Sequence, residues 1–286
     1  MSAVALYAQR FSSLVKLEHT VFALPYAYVG AVLAVGGNPG LHDLLWITVA
    51  MAGARSFAMA TNRLVDAAID ARNPRTARRE IPAGLLSRSN VIAFAIASLI
   101  VFLVAVWQLA PITRWLWPIP VAGFVIYPYL KRFTWLCHPF LGAVDGLAPV
   151  GGWVAVTNHV DPTSFLLGGA VALWIGGFDI IYATMDLEID RAQGLHSIPR
   201  RFGIATALRI TRVFHLLSVV LLVWLGIALG LGPLYYLGVA VVAALLAYEN
   251  SIVSADDLSR VDMAFLTMNG VIALVFLAGV LADAVA

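Results

Sequence analysis

The sequence predicts an all-α membrane protein, a single domain over residues 1–286 that crosses the bilayer nine times. Hydrophobic residues make up 61% of the 286-residue chain and charged residues only 12%, against about 45–50% and 25% in soluble domains. The mean hydropathy is +0.89. Apolar stretches that approach the roughly 20 residues needed to cross the hydrocarbon layer recur along the chain, and no interdomain linker separates them.

The predicted spans are the apolar stretches themselves. Each is expected to be helical, because a helix satisfies its own backbone hydrogen bonds in lipid. Turn-forming residues separate several of them, as at residues 36–39. The nine predicted spans are residues 20–35, 44–64, 91–109, 115–130, 140–156, 164–185, 205–229, 234–248 and 263–281.

Basic residues predict the orientation of these spans. With nine crossings, Arg114 alone falls on one side and Arg55 lies inside the second span, whereas all the other Lys and Arg residues fall on the opposite side. The positive-inside rule makes that richer side cytoplasmic. We therefore expect a multi-pass protein of the cytoplasmic membrane with its C-terminus outside. Its polar loops, about residues 71–90 and 191–204, would face the cytoplasm, and residues 2–17 would lie in the membrane interface.

Two matched polar motifs end the second and sixth spans. The first is Asn62, Asp66 and Asp70, and the second is Tyr182, Asp186 and Asp190. Residues at i, i+4 and i+8 share one helix face. Carboxylates in this position are destabilised by about 0.3–1 kcal/mol each at the C-terminal end of a helix.

Solvated helix ends would be the ordinary explanation of these carboxylates. The matched pair of motifs instead favours a bound divalent cation, and Mg²⁺ prefers a few carboxylates together with substrate phosphates. The motifs therefore predict a diphosphate held through Mg²⁺ at the end of the bundle. Arg75, Arg78, Arg79 and Lys131 could bind its phosphate oxygens, although the positive-inside rule also accounts for each of them.

Other polar residues in the spans are fewer. Arg55 is costly in hydrocarbon and is expected to face a cavity. Asp145 lies in the fifth span with no partner that the sequence identifies, and a structural role is favoured for His138. Cys137 is the only cysteine, which excludes an internal disulfide and a cysteine-built zinc site.

These motifs resemble those of the UbiA superfamily of intramembrane aromatic prenyltransferases, over nearly the whole chain. The resemblance rests on N-x-x-x-D-x-x-x-D at residues 62–70, Y-x-x-x-D-x-x-x-D at residues 182–190, and the loop with Arg75 and Arg79. Tyr127 and Lys131 resemble the family's lysine-bearing fourth span. Residues 18–25 resemble the menaquinone-type (futalosine) branch, many of whose members are labelled 4-hydroxybenzoate prenyltransferases. His196 stands where many ubiquinone-type members have lysine.

The resemblance implies nine helices around a central cavity that opens sideways to lipid. It also implies Mg²⁺ as cofactor, a polyprenyl diphosphate donor and a small aromatic acceptor. Neither a nucleic acid nor an obligate protein partner is expected. The implied catalytic and metal-binding residues are Asp66, Asp70, Asp186 and Asp190. The implied substrate-binding residues are Arg55, Asn62, Arg75, Arg79, Tyr127, Lys131, Tyr182 and His196.

The expected function is Mg²⁺-dependent transfer of a polyprenyl group to an aromatic acceptor in quinone biosynthesis, with 4-hydroxybenzoate the favoured acceptor. One alternative acceptor is 1,4-dihydroxy-6-naphthoate of the futalosine menaquinone pathway. An alternative of another class is a cation-coupled transporter, since intramembrane carboxylates also mark ion pathways. A transporter site, however, lies near the bilayer midplane, whereas these motifs lie at one surface.

Overall fold

The computed structural model describes residues 10–15 and 17–286, without the side chains of residues 17–23, 265 and 266. All regular secondary structure in these residues is helical. The predicted all-α class is confirmed. The side chains of Glu18 and His19 lie outside the described part.

The helices after residue 16 are numbered here in chain order. They are α1 (Leu17–Val35), α2 (Leu41–Asp70), α3 (Arg88–Gln108), α4 (Thr113–Leu116), α5 (Pro118–Leu130), α6 (Cys137–Asp145), α7 (Leu147–Thr157), α8 (Ser164–Ala183), α9 (Leu187–Gln193), α10 (Ile198–Phe202), α11 (Ile204–Leu229), α12 (Pro233–Ser251) and α13 (Asn269–Val285). A 3₁₀ turn, Thr184–Asp186, joins α8 to α9, and a π-helical turn, Met263–Met268, precedes α13.

Six helical segments in the described residues are long and apolar enough to cross a membrane. They are Leu41–Asp70, Arg88–Gln108, Cys137–Thr157, Ser164–Gln193, Ile204–Leu229 and Pro233–Ser251. Shorter apolar helices cover Leu24–Val35 and Asn269–Val285. Every predicted span overlaps helical structure, the fourth corresponding to α4 and α5 together. The chain is thus a multi-pass helical membrane protein, and the number of nine crossings stays a prediction.

Glycines allow α6 and α7 to pack closely against α8. A Cβ atom at Gly142 would lie 2.1 Å from the carbonyl oxygen of Ala172, and one at Gly146 would lie 2.4 Å from that of Gly168. No side chain fits at such distances, so the two backbones approach closely because these positions are glycine. This contact sets the position of His138, in the first turn of α6, relative to α8.

The C-terminal ends of α2 and α8 and the loop at residues 71–87 form one end of the bundle, called here the charged end. Residues 10–15 are helical and pack against it: Leu14 and Val15 are buried with Ala60, Leu86 and Val91. Residues 2–9 and 16 of the predicted interfacial segment lie outside the described residues. The connection predicted at residues 191–204 is partly helical, because Ser197 Oγ accepts a hydrogen bond from Arg200 N (3.3 Å) and begins α10.

Candidate active site

A cavity of about 490 Å³ lies inside the bundle below the charged end. Most of its wall is apolar and aromatic, including Phe102, Phe124, Trp174 and Phe178. A smaller polar set also lines it: Arg55, Asn62, Arg63, Arg79, Thr113, Tyr127, Asp145, Asn269, Asp179 and Tyr182. An apolar chamber with few polar groups is the usual form of a site for a largely hydrophobic ligand.

The first motif places two buried carboxylates at the charged end. Asp66 is 2% exposed and accepts a hydrogen bond from Lys131 Nζ. Its other oxygen, Oδ1, lies 3.3 Å from Arg132 Nη2 but accepts no hydrogen bond, and Arg132 Nη2 donates to the carbonyl oxygen of Val65 at 3.0 Å. The buried carboxylate of Asp66 therefore retains an unused acceptor.

The second carboxylate of this motif is held by the following loop. Arg79 Nη1 donates to both carboxylate oxygens of Asp70, at 2.7 and 2.8 Å. Thr76 Oγ1 donates to the backbone carbonyl of Asp70 at 3.1 Å and so fixes the turn that carries Arg79. Arg63 and Glu80, both buried, form a longer ion pair of 4.0 Å beside them.

The second motif is bound to the same loop, which brings the two motifs together. Asn73 Nδ2 and Arg75 Nε donate to Asp186 Oδ1 at 3.0 and 3.1 Å, and Arg75 Nη2 donates to Asp186 Oδ2. Arg75 also donates to the hydroxyl of Tyr182 and lies 4.8 Å from the centre of its ring. Burial alone would lower the pKa of Arg75, but the hydrogen bond and ion pair with Asp186 outweigh it and raise that pKa above its usual value.

Asp190 and His196 lie in the connection after this motif. Ser197 Oγ donates to Asp190 Oδ2 at 2.7 Å. The backbone N–H of His196 donates to the carbonyl oxygen of Lys131 at 2.6 Å, and the His196 residue is exposed. This contact joins the end of α5, which carries Lys131, to the second motif.

The four motif carboxylates are thus each bound by a cationic or hydroxyl donor. Within the described residues, no three His, Cys, Asp or Glu side chains lie close enough to form a metal site by themselves. Oxygen ligands from a few carboxylates, with the remaining ligands from phosphates, are nevertheless the set that Mg²⁺ prefers. The unused Oδ1 of Asp66 and the loop that joins Asp70 to Asp186 fit such a shared site.

Arg55 and Asp145 form the polar part of the deeper cavity wall. They lie within electrostatic range of each other but form no ion pair or hydrogen bond among the described contacts, and Arg55 Nε is buried without a hydrogen bond to any described residue. Because α2 rises about 1.5 Å per residue, Arg55 lies roughly 16 Å deeper than Asp66. The structure thereby places a cationic side chain near Asp145, for which the sequence identified no partner.

Sequence reasoning missed several residues of this site. Asn73 and Ser197 each contact a motif carboxylate, and His138 Nδ1 lies 2.7 Å from Asp179 Oδ2. Asn73 follows Asp70 by only three residues, and this closeness in sequence could have identified it as a site residue. The histidine pair joins residues 41 positions apart, for which no spacing rule exists.

These features define an intramembrane protein with a charged, cation-paired mouth above an apolar chamber. A sequence profile of the UbiA prenyltransferase family matches residues 23–278. A 4-hydroxybenzoate octaprenyltransferase of Vibrio cholerae is 30% identical over 269 residues, 94% of this chain and 92% of that protein. The one of Vibrio vulnificus is 31% identical over 242 residues, 83% of this chain and 84% of that protein. The chain belongs to the UbiA prenyltransferase family, and the predicted enzyme class is confirmed over the transporter.

Solved structures agree with this assignment. The apo structure of a UbiA homologue from Aeropyrum pernix K1 has a TM-score of 0.85 at 33% identity, covering 93% of this chain and 98% of the other. A UbiA homologue from Archaeoglobus fulgidus bound to DMAPP and Mg²⁺ has a TM-score of 0.73 at 19% identity, covering 96% and 99%. At 19% identity, the similarity to the second structure shows a shared fold only.

Proposed function

We propose that this prenyltransferase transfers a polyprenyl group from polyprenyl diphosphate to 4-hydroxybenzoate, with Mg²⁺ as cofactor. One observation carries the proposal. Both carboxylate motifs lie together above an apolar cavity, and their carboxylates are paired with Arg75, Arg79 and Lys131. Curated relatives named 4-hydroxybenzoate octaprenyltransferase support the acceptor. The homologue solved with DMAPP and Mg²⁺ supports the donor and the cofactor.

The donor's diphosphate binds at the charged end. Asp66, Asp70, Asp186 and Asp190 would hold Mg²⁺, which when bound neutralises the charge of the departing diphosphate. Arg75, Arg79 and Lys131 bind phosphate oxygens, Arg75 and Arg79 through planar guanidinium groups that match them. His196 also borders this region through its backbone contact with Lys131, and a neutral imidazole would bind phosphate less strongly than an ammonium group.

The acceptor binds deeper in the cavity. Arg55 binds its carboxylate, since its donors face an otherwise largely apolar chamber and Nε has no partner among the described residues. Asn62, Tyr127 and Tyr182 line the space between this arginine and the diphosphate site and orient the ring. Fixing ring and donor side by side removes much of the entropic barrier to their reaction.

The apolar wall serves the reactive intermediate. As the carbon–oxygen bond to diphosphate breaks, an allylic cation forms, and aromatic faces such as those of Phe124 and Phe178 stabilise it while water is excluded. The prenyl tail stays in lipid, where each buried methylene contributes about 0.8 kcal/mol. Ile119 and Phe165 line the cavity and are 55% and 54% exposed, which supports a sideways opening for that tail.

The same proposal includes the arrangement in the cytoplasmic membrane. Nine crossings, with the shorter helices α1, α4–α5 and α13 among them, place the charged end in the cytoplasm and the C-terminus outside. The distribution of basic residues supports this orientation. The carboxylates then face the compartment where Mg²⁺ is available.

The test uses purified full-length protein in lipid nanodiscs with geranyl diphosphate, 4-hydroxybenzoate and Mg²⁺. The expected product is 3-geranyl-4-hydroxybenzoate, identified by mass spectrometry, and chelation of the metal should abolish it. 1,4-Dihydroxy-6-naphthoate is offered in parallel. Preferential prenylation of the naphthoate would contradict the proposed acceptor, and absence of any prenylated product in protein that binds the donor would contradict the proposed reaction.

A further inference from the structure

The pair formed by Asp179 and His138 is a polar feature of the cavity that the proposed donor and acceptor sites leave unused. His138 Nδ1 lies 2.7 Å from Asp179 Oδ2. Asp179 lines the cavity, whereas His138 is 5% exposed and lies behind it. The second oxygen of Asp179, Oδ1, accepts no hydrogen bond from any described residue. One carboxylate oxygen is therefore fixed, and the other is available to a ligand.

The backbone places this pair with little freedom. Gly142 and Gly146 bring α6 against α8, and His138 stands one turn before Gly142, beside Asp179 on the neighbouring helix. A hydrogen bond to a charged group contributes about 1.5–3 kcal/mol, which favours one orientation of the Asp179 side chain. His138 does not line the cavity, so it acts through Asp179 and is a positioning residue.

Along the membrane normal, Asp179 lies between the proposed diphosphate site and the proposed anchor of the acceptor. It is seven residues before Asp186, which ends the 3₁₀ turn after α8, and it therefore lies roughly 10 Å deeper along the helix axis. Arg55 lies roughly 16 Å below Asp66 on α2 by the same rise per residue. With Asp66 and Asp186 taken to stand at one level of the charged end, the difference is on the order of 6 Å, which is comparable to the length of an aromatic ring. An acceptor whose carboxylate binds Arg55 thus presents its hydroxyl-bearing edge at the level of Asp179.

We propose that Asp179 is the base that removes the proton from the acceptor ring during prenyl transfer, and that His138 positions it. The inference rests on the proposed function, in particular on Arg55 as the acceptor's anchor. The motif carboxylates are committed elsewhere, because Asp66, Asp70 and Asp186 are bound by basic side chains. Asp145 lines the cavity near Arg55, at the end of the proposed acceptor site that holds the carboxylate rather than the reacting carbon.

The step balances without a further reagent. The carbon–oxygen bond of the donor breaks, and its electron pair leaves with the diphosphate. A ring π pair forms the new carbon–carbon bond beside the hydroxyl group. The hydrogen on that ring carbon leaves as a proton to Asp179 Oδ1, its bonding electrons restore the aromatic ring, and Asp179 becomes a neutral carboxylic acid.

The experiment compares ring-protonated 4-hydroxybenzoate with the acceptor deuterated at both carbons beside the hydroxyl. Proteins are the wild type, Asp179→Asn, Asp179→Glu and, as a matched cavity carboxylate, Asp145→Asn. General-base catalysis contributes about 10²–10⁴-fold, so kcat of Asp179→Asn should fall by about 100-fold or more. Because proton loss then limits the rate, its primary isotope effect on kcat should exceed that of the wild type, while Asp179→Glu recovers part of the rate.

Folding and donor binding are followed with magnesium geranyl thiolodiphosphate, whose dissociation constant should stay within about threefold of the wild type. An isotope effect in Asp179→Asn equal to that of the wild type would overturn the assignment of the base. An isotope effect that rises equally in Asp145→Asn would also overturn it. If the wild type itself forms no prenylated 4-hydroxybenzoate, the proposed function fails instead, so the two failures are distinguishable.

Discussion

Replacement of Arg55 by lysine separates the two substrates that this buried arginine could bind. The substitution keeps the positive charge deep in the cavity but removes the planar fork that binds a carboxylate through two parallel hydrogen bonds. Arg55 lines the cavity, and its Nε has no hydrogen bond to any described residue. The cost should therefore come from the ligand contact rather than from a broken internal one.

The expected change in the acceptor KM follows from the hydrogen bond that is lost. Loss of one charge-assisted hydrogen bond costs about 1.5–3 kcal/mol, and each 1.4 kcal/mol is about tenfold in affinity. The acceptor KM of Arg55→Lys should rise about 10- to 100-fold on this basis. The donor KM should stay nearly unchanged, because Arg55 lies roughly 16 Å from the depth of Asp66 along α2.

Steady-state kinetics with geranyl diphosphate measure both KM values. The matched control is 4-hydroxybenzamide, which keeps the shape of the acceptor but carries no carboxylate. Its KM should be high for the wild type and nearly insensitive to Arg55→Lys. A rise in the donor KM alone would refute the reasoning and place Arg55 in the diphosphate site.

Three further predictions follow from the same contacts. The double variant Asp66→Asn, Asp186→Asn should lose Mg²⁺-dependent prenyl transfer, because amides keep the shape but lose the charge that holds the metal. Undiminished activity of this double variant would contradict the metal assignment. Gly142→Ala places a Cβ 2.1 Å from Ala172 O and should lower the free energy of unfolding by about 1–3 kcal/mol, measured by thermal unfolding. The control is Gly151→Ala, whose Cβ would have nothing within 4 Å. Equal shifts of the unfolding temperature in the two variants would contradict the close packing. Single cysteines placed at Arg78 and Arg200 should label from the cytoplasm and one at Val160 only from outside; labelling of Arg78→Cys and Val160→Cys from one side would contradict nine crossings.

Local patterns in the sequence account for much of this fold. The i, i+4, i+8 spacing anticipated that Asp66 and Asp70 would share a helix end, and apolar runs anticipated the long helices but not the short ones at Leu187–Gln193 and Ile198–Phe202. The same spacing could not show what binds those carboxylates, because Asn73 and Arg75 reach Asp186 through the turn of a loop. Tertiary geometry of this kind leaves no periodic signal.

Buried pairs between distant helices are harder still to anticipate. His138 and Asp179 meet because Gly142 and Gly146 let two helices approach, and the effect of a glycine depends on which helix lies opposite. The break near Asp145, where α6 gives way to α7, also lies inside a single predicted span, residues 140–156. In both cases packing, rather than composition, determines the result.

The pairing of the motif carboxylates with Lys131, Arg75 and Arg79 also links the binding of two ligands. A cation that displaces these side chains from Asp66, Asp186 and Asp70 leaves three positive charges without counterions, and an anion alone draws them away from buried carboxylates. Binding of either Mg²⁺ or diphosphate alone leaves charges of the opposite ligand's site unpaired, and binding of the second ligand removes that electrostatic cost. The thermodynamic consequence is positive cooperativity, reciprocal by necessity and typically 1–3 kcal/mol, so titration with Mg²⁺ should be markedly tighter in saturating inorganic pyrophosphate than in its absence.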